Sequence, residues 1–334
     1  MMRRSSGLIF LLLACSIVLI LAGLAVGSTG WMASLPDASD PTALHIVRDI
    51  RLPRTLGAWV TGALLGLGGA LAQGLFRNPL ADPYLLGSSS GASLGVVIFL
   101  AAMGGAAPAM QWVHIFGSTG AAFVGAIVAV FLTLLLAQGV QHTLRLLLAG
   151  VVVGVVLGAC SALVMLLVPS VMQSMQAFML GSTAFLGWGA VALMLIVWGI
   201  CLLISCFTAP VLDGLALGED TALSLGLPIQ QMRVLLVVVL ALVTGTAVAH
   251  SGLIAFVGLA APHLVRSLLQ SSHRPLMMLA SLMGGILLTA ADLMARSLVA
   301  PLELPVGVLT AILGGGYLLW QMHRHTLTEL AERS

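Results

Sequence analysis

Residues 213–228 read DGLALGEDTALSLGLP, and this stretch divides an otherwise apolar chain in two. Asp213, Glu219 and Asp220 fall within eight residues of one another. Carboxylates that close together are too costly to hold in hydrocarbon, so the segment belongs at a membrane surface. Leu215, Leu217, Ala222, Leu223 and Leu225 give it apolar area for a pair of short amphipathic helices, with Gly218, Gly226 and Pro228 as breaks. Such a pair serves either as a handle for another protein or as a connecting loop resting on lipid.

Around it the composition is that of a membrane. The chain has 334 residues, 60% of them hydrophobic and 7% charged, against about 25% charged in a soluble domain. All 13 basic residues are arginine. The phosphate-cradling GxxxxGK[ST] loop requires lysine, so this chain does not hydrolyse ATP by that route. Cys15, Cys160, Cys201 and Cys206 lie inside apolar segments without metal-ligand spacing, which makes them packing residues. No HExxH motif is present, and no nucleic-acid-binding pattern is expected.

Segments of about 20 apolar residues span the ~30 Å hydrocarbon layer. By that measure residues 7–27, 55–75, 84–103, 112–138, 144–168, 188–207, 232–250, 253–268, 276–299 and 306–322 are ten helices of one all-α permease domain covering 1–334. Arg3 and Arg4 ahead of the first segment also suit a cleaved signal peptide, but the run is long for one and a retained span is expected. Pro53, Pro83, Pro228, Pro275 and Pro305 stand at or just before helix starts, and Asp82 is placed to cap the third helix. With both termini inside, nine arginines face the cytoplasm and four (Arg48, Arg51, Arg54, Arg296) face out, in accord with the positive-inside rule. The eighth segment, 253–268, is short and contains Pro262 and His263, yet this count treats it as a full span.

The outward arginines need a reason. Arg48, Arg51 and Arg54 recur every three residues, which predicts one shared face, either snorkelling to lipid phosphates or docking an acidic partner. Asp292 and Arg296, four apart within a span, are placed to pair; a proton relay is the alternative. Gly87, Gly91 and Gly95, and again Gly150, Gly154 and Gly158, run at intervals of four, so each series makes a groove for close helix packing or for a bulky solute. Residues 80–88 (LADPYLLGS) match 259–267 (LAAPHLVRS) at five positions. Five spans separate them, so the copies would be inverted in the membrane, an arrangement suited to alternating access.

Several motifs resemble one family. RLPR at 51–54, QGLFRNPLADP at 73–83, LGSSSGA at 86–92, LGE at 217–219, AFVGLAAPH at 255–263 and ELPVG at 303–307 are similar, in order, to the iron-chelate, haem and cobalamin permeases of bacterial ABC importers (FecCD/BtuC-like), and closest in wording to haem permeases. The resemblance spans about residues 45–322. It implies a first span at 7–27, repeats at 54–168 and 231–322 (helices 2–5 and 7–10), a sixth span at 188–207 and cytoplasmic coupling helices within 208–230. It further implies a homodimer in the inner membrane, two cytoplasmic ATP-binding subunits that hold the ATP and magnesium, a periplasmic binding protein, and a haem or other iron chelate as cargo. No cofactor or metal is expected on this chain. Asp213, Leu217, Gly218, Glu219, Ala222, Leu225 and Gly226 would couple to the ATPase, and Arg51, Arg54 and Arg296, with Arg48 added from spacing, would dock the binding protein. Segments 144–168 and 306–322 would border the pathway. His45, His114 and His250 are candidate haem contacts. A cobalamin or ferric-siderophore permease, or an ion-coupled secondary transporter, are the alternatives.

Overall fold

Helices occupy all ten segments. The computed structural model describes residues 2–27, 30–31, 41–103, 111–138 and 143–332, with side chains at 5–27, 42–103, 117–138 and 144–320. In chain order the helices are α1 Met2–Ala25, α2 Pro41–His45, α3 Leu52–Phe76, α4 Ser88–Ala102, α5 Gln111–Leu136, α6 Thr143–Leu167, α7 Met172–Leu180, α8 Trp188–Ala216, α9 Glu219–Ser224, α10 Ile229–Ser251, α11 Val257–Leu268, α12 His273–Ser297 and α13 Val306–Glu332. Among the described residues, seven helices are long and apolar enough to cross a bilayer, so ten spans is approximate.

Two of the ten segments, those of α4 and α11, carry short helices for a structural reason. With 12 residues, α11 covers about 18 Å at 1.5 Å per residue, little more than half the hydrocarbon layer. It starts partway along α3, where a Cβ on Gly69 would strike the Gly258 carbonyl, and ends where Arg266 donates to Gln73 near the close of α3. The eighth segment still crosses, from Ser251 at the Arg54 end to His273 beside Asp213, but as non-helical chain followed by a short helix in place of one continuous helical span. Irregular backbone at that depth must be satisfied within the protein. Leu253 N–H donates to Phe178 O at 3.1 Å, and Tyr84 Oη to Ile254 O at 3.2 Å. Gly252 and Phe256, at φ 70° and 68°, make the turns.

α4 is the counterpart. The chain leaves α3 at Phe76 and turns back through residues 77–82; Asp82 then accepts Tyr84 N–H at 2.8 Å to cap a single 3-10 turn, Pro83–Leu86, ahead of α4. Pro83 abuts both Gly68 and Gly258, so the 3-10 turn that leads into α4 meets the start of α11 against α3.

The two halves interlock. α3 packs on α11 and α12, while α10 packs on α4 and α5. Their directions oppose: α3 runs from Arg54 toward Arg77, whereas α10 starts beside Glu219 and ends at Ser251, whose carbonyl accepts Ser182 N–H at the Arg54 end. Exchange of first helices with reversed direction is the geometry of an inverted repeat. The nine-residue match does not mark it, however. Residues 80–88 are turn and 3-10 helix, whereas 259–267 lie inside α11 with Pro262 within the helix. Those identities fall at unlike backbone positions, as apolar sequence of few residue types allows.

Glycine decides the closest contacts. Gly62 and Gly66 of α3 sit against the carbonyls of Gly284 and Ala280 of α12, and Gly91 and Gly125 face each other's carbonyls between α4 and α5. Gly95 meets Ala121 in the same seam, and Gly87 supplies a left-handed turn at φ 78°. The second series grades open: Gly150 abuts Leu85 O, Gly154 meets Ser90 Oγ at 3.6 Å and Gly87 Cα at 3.9 Å, and Gly158 has nothing within 4 Å.

Candidate functional site

Residues 213–226 form one protruding corner. α8 does not stop at residue 207 but continues unbroken to Ala216, so the coupling region is a helical extension plus the single six-residue α9, in place of two separate short helices. Gly218 (φ 115°) and Gly226 (φ 73°) break the chain on either side of α9, backbone values that disfavour any other residue.

This corner is pinned from beneath. Ala222 is fully buried, and Leu227 packs over Gly214. Glu219 accepts from Arg233 Nη1 at 2.9 Å, which ties α9 to α10. Asp213 accepts both the backbone N–H of His273 at 2.9 Å and its Nδ1 at 2.7 Å, and so caps the start of α12 from the end of α8. Two of the expected coupling residues are thus anchors. What the corner displays is Leu217, Leu223 and Leu225, each more than half exposed, with Asp220 among them. Exposed leucines on a polar rim are the usual mark of a protein-binding surface.

At the other end the arginines separate. Residues Ile46–Arg51 form a wider, π-type turn, in which a spacing of three no longer keeps one face. Arg48 is exposed. Arg51 is buried and donates to Leu24 O at 2.9 Å. Arg54 donates to Glu303 at 2.9 Å and to Asp292 at 3.3 Å. Arg296, 1% exposed, donates through Nε to Asp292 at 2.9 Å and through Nη2 to Thr55 at 3.2 Å. Thr183 Oγ1 donates to Asp292 at 2.6 Å. Asp292 and Arg296 pair as their spacing predicts, but inside a network that also holds Arg54, Glu303, Thr183 and Thr55. The single face expected of Arg48, Arg51 and Arg54 does not form: Arg48 is exposed, while Arg51 and Arg54 are drawn inside, as is Arg296. Glu303, within the ELPVG motif, and Thr183 enter the site only through the structure; the signal in sequence for the first is a carboxylate just ahead of a helix-opening proline.

The candidate haem contacts do not converge. His45 is exposed and pairs with Asp49 at 2.8 Å, and His250 Nδ1 bonds Thr246 O at 3.0 Å within its own helix. The His114 side chain lies outside the described residues. No group of three His, Cys, Asp or Glu able to hold a metal occurs among the described residues. Residues 87–91 (GSSSG) spell a GxSxG pattern, yet they belong to the α4 packing seam. An apolar cavity of about 220 Å³ between α11, α12 and α13, lined by Phe256, Leu287, Leu313 and Tyr317 among others, is smaller than the ~300–1,000 Å³ typical of ligand pockets.

A family model, the FecCD transport family, matches residues 8–324. The hemin transport system permease protein HmuU of Yersinia pestis is 40% identical over 301 residues, covering 89% of this chain and 87% of that one. The vitamin B12 import system permease protein BtuC of Escherichia coli O6:K15:H31 is 37% identical over 312 residues, 92% and 93% of the respective chains. A solved structure of an inward-facing transporter assigned to the metal-chelate ABC type superposes with a TM-score of 0.85 at 26% identity, over 96% of this chain and 99% of that one. Interlocked helices, a pinned corner of exposed leucines and these likenesses lead to one conclusion: the chain is a membrane permease that belongs to the FecCD transport family.

Proposed function

We propose that this permease is the homodimeric membrane half of an ABC importer that carries haem or another iron chelate from periplasm to cytoplasm. The observation that carries the reading is the corner at residues 213–226, which presents leucines outward while its carboxylates grip α10 and α12. A surface of that kind transmits force from a partner; a lipid-resting loop needs no such anchors. In this reading the corner seats in a cleft of a cytoplasmic ATP-binding subunit, and both termini are cytoplasmic, as the arginine balance favours. ATP binding closes the partner subunits and displaces α9. Glu219–Arg233 and Asp213–His273 carry the displacement into α10 and α12, so that packed helices rock and the opening changes sides.

The exposed face of α6, with Gly158 open and Val151, Val155 and Val156 uncovered, supports a second copy packing there around a shared pathway. Arg48 supports docking of a periplasmic binding protein; Arg51, Arg54 and Arg296 would contribute by shaping that rim. Haem is favoured over cobalamin by motif wording, and His45, His114 or His250 would offer it a transient ligand. An ion-coupled transporter needs a titratable acid free to change partners, and Asp292 is held by two arginines.

Proteoliposomes test this. Permease reconstituted with the ATP-binding subunit is expected to take up haem only with ATP, and Glu219→Arg to hydrolyse ATP without uptake. Uptake by the permease alone, driven by a proton or sodium gradient, overturns the reading. Uptake of cobalamin or a ferric siderophore in place of haem changes only the cargo. Full uptake after alanine replacement of all three histidines removes the ligand role.

A further inference from the structure

The QGLFRNPLADP stretch has no part in the corner, yet five of its residues line a notch beside it. A cavity of about 310 Å³ is lined by Gln73, Arg77, Asn78, Ala216, Arg266 and His273, among others. The lining gathers the end of α3, the end of α11, the end of α8 and the start of α12. Its polar groups are mostly donors. Gln73, 3% exposed, donates to Leu259 O at 3.2 Å and accepts from Arg266 through Oε1. The Oδ1 of Asn78 is taken by Leu80 N–H at 2.9 Å, which leaves its amide to donate. His273 is committed through Nδ1 to Asp213.

Neither arginine has a carboxylate within ion-pair distance among the described residues. Each stands at a helix C-terminus, where the dipole favours a cation by about 0.3–1 kcal/mol at an exposed site. That accounts for an arginine in each place, but not for two facing one cavity with only a neutral amide between them. The half-buried guanidinium of Arg266 is unfavourable without a counter-ion, and an anion held between it and the exposed Arg77 relieves that through charge-assisted, forked hydrogen bonds.

We infer that this notch receives an acidic side chain of the ATP-binding subunit, as a second point of attachment next to the leucine corner. The inference rests on the assignment of that subunit to this face. Two features select a protein carboxylate. Ala216, in the wall of the notch, is the last residue of α8 and lies three positions before Glu219, so a partner seated on the corner also covers the notch. The charges also alternate in space: Asp220 stands out on the corner and Arg77 is exposed at the notch. A partner surface must then place a basic and an acidic group in matching order, which fixes register as well as affinity.

Assembly of detergent-solubilised permease with its ATP-binding subunit provides the test, read as Kd at low and high salt. Arg77→Glu is expected to raise Kd by about tenfold or more at low salt, Arg77→Lys by only a few-fold, and the salt dependence of the wild type should flatten in Arg77→Ala. Arg77 is exposed, so an unchanged melting temperature in these variants separates loss of docking from loss of fold. A photo-crosslinking residue at Asn78 is expected to capture an Asp- or Glu-bearing segment of the ATP-binding subunit. Capture of phospholipid instead, or wild-type assembly in Arg77→Glu, overturns the notch while leaving the corner intact. A wild-type permease that binds no ATP-binding subunit at all overturns the corner and the notch together.

Discussion

Both ends of this permease carry more charge than the helices between them, and they use it in opposite ways. At the Arg54 end a network of ions faces inward: Asp292 is fully buried among Arg54, Arg296 and Thr183, and Arg51 is spent on the backbone of α1. At the Glu219 end single carboxylates bond across helices while staying about 40% exposed, and leucines occupy the outer surface. The first arrangement is costly to break and locks helices together. The second is cheap to strain and free to move with a partner. A rigid clamp at one end and a flexible grip at the other is what a lever needs, with α12 reaching from His273, held by Asp213, to Arg296.

The largest effect is expected at the buried network. Asp292→Ala leaves Arg296, and in part Arg54, as desolvated cations without their acid. Breaking a buried ion pair from one side costs about 3–5 kcal/mol. Thermal unfolding in detergent should show a large drop, and paired replacement of Asp292 and Arg296 by apolar residues should recover much of it. A small loss in Asp292→Ala would mean that this end is as pliable as the other, and the contrast would collapse.

A smaller, more informative effect is expected at Asp213. Its carboxylate caps α12, and loss of a cap costs about 0.5–2 kcal/mol. Asp213→Ala should fold and bind the ATP-binding subunit, yet transport fewer solutes per ATP. Asp213→Asn keeps an acceptor for the His273 N–H and should retain most of that ratio. Equal coupling in both variants would show that α9 acts through Arg233 and α10 alone.

How much of this was legible beforehand depends on the range of the contact. Helices, their breaks at Gly218 and Gly226, and the Asp292–Arg296 pair follow from local spacing, because residues four apart on a helix are neighbours. The partners of Asp213 and Arg54 lie 60 and 249 positions away, and no local period encodes such distances. The short helix α11 within the eighth crossing was hidden for another reason. Residues 253–268 are apolar enough to suit a span, and only the packing of Gly258 against Gly69 reveals where the helix begins. Arg51 misled because the π-type turn changes which residues share a face, and hydrophobic spacing carries no signal for that turn.

The smallest effect on stability, and the one that best isolates docking, belongs to Arg48. It is exposed, and it belongs to no ion pair found among the described residues; only its carbonyl is used, by Trp188 Nε1 at 3.1 Å. Arg48→Ala should therefore change stability by no more than about 0.5 kcal/mol. If an acidic binding protein lands on this rim, the same change should slow its association at low salt and lose that effect at high salt, since rim charges act mainly on the on-rate. Arg51→Ala should do the reverse, costing stability because its backbone acceptors on α1 lose their donor, with little salt dependence. Finding the salt-sensitive loss at Arg51 and not at Arg48 would mean that this network opens when the partner arrives, and the clamp would itself be a moving part.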